Sequence, residues 1–155
     1  MNIGLAWPIV SRFRRYVEGL PDGGVQAVGT TVRADGFDFP FSHQDETTIA
    51  YRGRVDFTGH SGLLHVFIED PEITLHDGEA LISIADDFEE PRGRMSFARG
   101  AFVREVVDGV VILVIAEPRL TDESCDLFNG AYASGALIDP IVASFPDGRQ
   151  PVAAR

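Results

Sequence analysis

Four histidines, three tyrosines and one cysteine are the side chains of this 155-residue chain best suited to ligate a metal or attack a substrate. Their pattern excludes most familiar chemistries. The single Cys125 rules out an internal disulfide, a CxxC site and a cysteine-cluster metal site. All 13 basic residues are arginine, so Schiff-base and lysine-base chemistry is absent. No phosphate loop, GxGxxG turn, HExxH helix, GxSxG elbow or EF-hand loop occurs. Carboxylate pairs such as Asp86-Asp87 and Glu89-Glu90 read as solvated loop residues, since an acidic chain supplies such pairs in any case; glycosidase-type chemistry ranks low.

The histidines and tyrosines then sort by position. His43 and His76 read as surface residues, and His65, alternating with Leu63 and Phe67, as a core or half-buried histidine with its N–H satisfied. His60 sits between Gly59 and Gly62 at a tight strand-to-strand turn, where small neighbours let a ligand or another backbone come close. On these grounds alone a turn-capping histidine is the simpler reading. Tyr51 follows the apolar parity of a strand, while Tyr16 and Tyr132 fall on the apolar faces of two helical segments. Taken singly, each reads as a core aromatic with its hydroxyl at the edge.

The elements that must position these groups are mostly strands. The length suits one domain, residues 1–155 with a core of about 5–145 and a tail that frays after Pro146. Sixteen glycines, nine prolines and eleven phenylalanines, with long Val/Ile stretches, indicate a mainly β fold. A first amphipathic helix is expected over Ala6–Gly19, with Pro8 in its first turn and Ile9, Phe13, Tyr16 and Leu20 on one face. Strands are expected at Ile49–Phe57, Leu63–Glu69, Glu72–Leu75, Ala80–Ala85, Arg94–Val107, Val110–Glu117 and Ile141–Phe145, with Asp108-Gly109 marking a hairpin. A second helix capped at Thr121 would carry Leu127, Phe128, Ala131 and Tyr132 on one face and end at Gly135. The fold class is an antiparallel sandwich or strongly curved sheet with two short helices.

A net charge of −11 repels nucleic acid and anionic membranes. The N-terminal MNIGLAWPIVSRFRR has no basic region ahead of its apolar stretch, which Pro8 interrupts and Arg12 closes, so it does not read as a secretory signal. The apolar run Val110–Ala116 is far short of the ~20 residues a membrane span needs. The expected location is the cytoplasm.

Four blocks together resemble the HtaA-type conserved-region domain of bacterial haem-uptake proteins. They are Trp7 with Phe13-Arg14-Arg15-Tyr16-Val17-Glu18-Gly19, then Val55-Asp56-Phe57-Thr58-Gly59-His60-Ser61-Gly62, then Asp70-Pro71-Glu72-Ile73-Thr74, and lastly Phe128-Asn129-Gly130-Ala131-Tyr132-Ala133-Ser134-Gly135 with Asp139-Pro140. The resemblance runs from about Leu5 to Phe145. It implies a mainly antiparallel β fold with a pair of short helices. It also implies ferric haem b as cofactor, with Tyr16 as axial iron ligand, His60 hydrogen-bonded to the ligating phenol and Tyr132 beside the pocket. Haem further needs apolar walls, for which Ile9, Phe13 and Phe57 are candidates, and cations for its propionates, for which Arg12 or Arg15 are. Pro8 stands where the family commonly has glycine, and Val10 where it has a basic residue; both alter the helix start and leave the ligand motifs intact.

Phenolate is a hard anionic ligand that favours ferric iron, and tyrosine ligation of haem occurs in catalase. A free phenol ionises only near ~10, so ligation at neutral pH needs the metal's charge and a donor aimed at the oxygen. The expected function is therefore haem holding, transfer or sensing, with a haem donor or acceptor protein as partner. An exposed porphyrin face would allow a stacked haem pair to bridge two molecules in a homodimer, but the sequence does not reveal the oligomeric state. A haem-dependent enzyme, peroxidase-like or haem-modifying, is the second reading and ranks lower because the sequence identifies no distal acid–base residue. An interaction module that has lost haem is the third.

Overall fold

Alternating apolar residues and closely spaced turns draw much of the chain into strands, which hold 56% of the described residues. A computed structural model describes residues 3–86 and 93–148. The chain begins with strand β1 (Gly4–Trp7) and helix α1 (Ser11–Glu18), followed by β2 (Gly24–Val28), β3 (Thr31–Arg33), β4 (Gly36–Gln44) and β5 (Thr48–Tyr51). Then come β6 (Arg54–Gly59), β7 (Leu64–Glu69), β8 (Glu72–His76), β9 (Glu79–Asp86), β10 (Gly93–Ala101) and β11 (Val103–Val107). The last elements are β12 (Val110–Ile115), β13 (Arg119–Leu120), helix α2 (Asp122–Cys125) and β14 (Ile141–Pro146).

The large sheet has the order β11-β12-β14-β1-β4-β5-β8-β9-β10-β13, with β3 beside β4, and a smaller sheet has the order β2-β6-β7. All of these pairings are antiparallel. Register slips between Phe41 and His43 and between Ser96 and Ala98 bend β4 and β10, as bulges do. The sheet curls until Trp7 of β1 meets Phe97 of β10 edge-on at 5.3 Å, although β4, β5, β8 and β9 lie between them in the sheet. A strongly curled half-barrel is thus the outcome, and its concave side holds Trp7, Phe37, Phe39, Ile82 and Phe97. Helix α1 packs on β2 and β6. Among the described residues no helix is long and apolar enough to cross a membrane.

Several boundaries differ from the sequence reading. The expected strand Ile49–Phe57 is two strands in different sheets, broken at Gly53, whose φ of 123° suits glycine and where a Cβ would strike Thr30 Oγ1. The run Arg94–Val107 likewise divides at Phe102 into β10 and β11. Residues 4–7 are strand, not helix: Pro8 ends β1, Ile9 turns with φ of 70°, and α1 starts only at Ser11. Its buried face is Phe13 and Val17, so Tyr16 lies outside the core. The second helix stops early. Thr121 does cap it, accepting from the Ser124 N–H, but α2 passes into a tight turn at Asp126–Phe128 and ends at Asn129 and Gly130, both with positive φ. Ala131 and Tyr132 therefore sit beyond it.

His65 is also displaced: Leu64, Val66 and Ile68 face inward, so His65 is on the outer face, with Nε2 2.8 Å from Asp56 Oδ1. The pair Glu89-Glu90, Asp87, and the tail from residue 149 lie outside the described residues.

Candidate functional site

Helix α1 is eight residues long, and Val10, the residue that precedes its first turn, offers no side-chain cap. The missing acceptor comes from far along the chain: Ser11 N–H donates to Asp139 Oδ1 at 2.7 Å. Phe13 anchors the helix, its ring meeting Phe57 at 5.2 Å and Phe128 at 4.9 Å in edge-on contacts. With Phe13 and Val17 inward, the next position around the helix is Tyr16, which is 50% exposed.

His60 reaches the same place from the turn between β6 and β7. Its backbone has φ of 50°, Ser61 follows with φ of 56°, and Gly62 with 88°. Gly59, just before it, lies so close to Leu20 that a Cβ would approach Leu20 Cδ1 to 2.7 Å, which lets the loop after α1 press against the turn. Tyr16 Oη and His60 Nε2 are 2.6 Å apart, a hydrogen bond in which either group can donate. The rings are tilted by 48° at 6.0 Å.

Tyr132 comes to the same end of the molecule. It packs on Phe128 at 5.2 Å and on Phe13 at 6.5 Å, and the Arg12 guanidinium lies over its ring at 4.7 Å. Burial raises its phenol pKa, with the nearby Tyr16 acting the same way and Arg12 opposing. Arg12 and Arg15 are exposed on α1 beside the phenols, whereas Arg14 is committed to Glu18 at 3.2 Å. Phe13, Phe57 and Ile9 are buried, and Phe13 links Phe57 to Tyr132.

Two contributors escaped the sequence reading. Leu63 is 88% exposed and follows the His60 turn, to which its N–H is bonded at 3.1 Å. Its apolar type had suggested only the start of a strand. Asp22 accepts the His60 N–H at 3.2 Å and the Ser61 N–H at 2.6 Å. In sequence, Pro21-Asp22-Gly23-Gly24 signals a turn and nothing more.

The arrangement presents a phenol oxygen at the surface, an imidazole bonded to it, a second phenol, two cations and an exposed leucine. The Tyr16 oxygen keeps a free lone pair beside its bond to His60, so it can ligate an oxophilic metal. Grooves of about 630, 610 and 540 Å³ lie elsewhere, and none is lined by Tyr16, His60 or Tyr132. Tyr16, His60 and Leu63 are exposed, so the Tyr16–His60 pair lies on an open face. Among the described residues no cluster of three or more His, Cys, Asp or Glu could hold a bare metal ion.

Three solved structures share the fold of this chain. The C-terminal domain of HtaA from Corynebacterium glutamicum shares 21% identity and a TM-score of 0.77, covering 91% of this chain and 93% of that one. The haem-binding protein HtaB of the same organism shares 18% identity and a TM-score of 0.75, covering 91% and 90%. A histidine-to-alanine variant of the first domain, a domain-swapped dimer, has 21% identity and a TM-score of 0.67 over 89% and 92%. No curated protein matches the chain. The HtaA family model, described as Htaa, matches residues 2–144, and with the fold shared over nine-tenths of its length the chain belongs to the HtaA family.

Proposed function

We propose that this protein binds ferric haem b through the Tyr16 phenolate and serves in haem holding, transfer or sensing. The observation that carries the reading is the 2.6 Å contact between the exposed Tyr16 hydroxyl and His60 Nε2. A buried structural tyrosine has no need of an imidazole at its oxygen on an open face. With haem bound, the imidazole N–H would donate to the ligating Tyr16 oxygen and hold it in place. Tyr132 and Leu63 would supply apolar contact to the porphyrin, Phe13 braces Tyr132 and packs on Phe57, and the exposed Arg12 and Arg15 would supply cations to the propionates.

The local cations matter because the whole chain carries −11 and would otherwise repel a dianion. The haem-binding relative HtaB supports the same ligand class. The open face suits a protein that gives its ligand up to another, so carriage is favoured over catalysis.

Haemin titration followed by absorption tests this. Wild type should bind saturably with a high-spin ferric spectrum, Tyr16→Ala should lose that spectrum, and His60→Ala should weaken binding by about 10- to 100-fold. An unchanged spectrum in Tyr16→Ala would remove Tyr16 as the ligand.

A further inference from the structure

We infer that Asp22 is the positioning residue of this site: its carboxylate locks the His60–Ser61 turn to the end of helix α1 and thereby sets the Tyr16–His60 hydrogen bond. The inference rests on the haem reading for its consequence, but its geometry stands in the protein alone. His60 and Ser61 are consecutive non-glycine residues with φ of 50° and 56°, a backbone that L-residues avoid unless something holds it. The two amides of that turn point to one anion. His60 N–H and Ser61 N–H donate to the two oxygens of Asp22, at 3.2 and 2.6 Å. Successive backbone N–H groups converging in this way make an anion-binding concavity, and here a side chain from another element fills it.

Asp22 is itself tied to the helix that carries Tyr16. Gly19 N–H donates to the Tyr16 carbonyl at 3.2 Å, Leu20 N–H to the Val17 carbonyl at 3.1 Å, and Gly23 N–H to the Leu20 carbonyl at 3.1 Å. Asp22 sits inside this chain of turns, so its carboxylate is a strut from α1 to the β6–β7 turn. Leu20 against Gly59 gives the same two segments an apolar contact. That contact fixes how far apart they are, and the carboxylate bonds the His60 and Ser61 amides. The amides, chiefly that of Ser61, hold the Asp22 carboxyl below the usual carboxylate range, so the strut stays charged at neutral pH.

The side-chain hydrogen bonds of Asp22 go to the His60 and Ser61 amides and not to the Tyr16 oxygen. Its effect must therefore pass through His60, which makes the test a double-mutant cycle. Asp22→Ala should weaken haemin binding about tenfold in the wild-type background and add little in a His60→Ala background. Asp22→Asn keeps one acceptor oxygen and should fall between wild type and Asp22→Ala, and it also serves if the alanine variant folds poorly by circular dichroism. In the haem-free protein, the His60 and Ser61 amide protons should be shifted downfield in ¹H–¹⁵N spectra and return toward random-coil values in Asp22→Ala. Equal losses of affinity in both backgrounds would make Asp22 a general structural residue and overturn the inference. Unchanged amide shifts would overturn it as well. Failure of wild type to bind haemin would overturn the haem reading instead, and the amide shifts would still decide whether Asp22 holds His60 in place.

Discussion

Tyr16 and Tyr51 show how one side chain acquires two roles. Tyr51 is 2% exposed and its hydroxyl donates to the Ser144 carbonyl at 3.0 Å, so burial pushes its phenol well above the ordinary value near ~10. A group whose folded pKa is raised contributes stability that is present below its unfolded pKa and lost as pH rises toward the folded one. Urea unfolding at pH 7 and pH 11 should therefore show an alkaline loss in wild type that is smaller in Tyr51→Phe. The same variant should cost about 1 kcal/mol at pH 7 for the lost hydrogen bond. Equal alkaline losses in both proteins would show that Tyr51 is not the titrating group. Tyr16 has the opposite setting, exposed and bonded to an imidazole, and its worth lies in its oxygen rather than its ring.

Among the elements, α1 is the most dependent on its surroundings. Eight residues are too few for a stable isolated helix, and this one lacks a local side-chain cap. Its start is secured from Asp139, 128 residues away, and its face by Phe57 and Phe128. Asp139→Ala should cost about 1 kcal/mol in chemical denaturation, as cap losses do, while Asp139→Asn should cost less because asparagine also accepts. Because the same helix carries Tyr16, the alanine variant should also weaken haemin binding. Denaturation midpoints that match wild type would exclude the capping role. The apolar periodicity around Phe13 identified this helix in the sequence, but not where it begins. Pro8 fits a first helical turn as well as a strand end, and only the pairing of Gly4–Trp7 with β4 and β14 decides between them.

At the scale of the whole molecule, carboxylates bind the strands and turns together. Asp22 and Asp45 accept backbone N–H groups, and Asp56 accepts from Arg54 and His65 strongly enough to outweigh the upward effect of its own burial. All three carboxyls lie below their ordinary value, so their contribution is present above about pH 4 and lost as pH falls through the depressed values. Unfolding midpoints at pH 7, 4 and 3 should drop mainly in the last step, and Asp56→Asn should flatten that drop. An equal slope in the variant would assign acid sensitivity elsewhere.

By itself the sequence determined the fold class, the apolar strands β7, β9 and β12, and through its four motif blocks the candidates Tyr16, His60 and Tyr132. Those features are local: a two-residue period, a turn dipeptide and a motif survive in the linear chain. The break at Gly53, the curl that brings Trp7 to Phe97, and the exposure of Tyr16 were decided only by tertiary structure. So were the 2.6 Å bond from Tyr16 to His60, 44 residues apart, and the support of that bond by Asp22. Each depends on which distant segment fills the space beside a residue, and burial and hydrogen-bond distance are properties of that packing rather than of spacing along the chain.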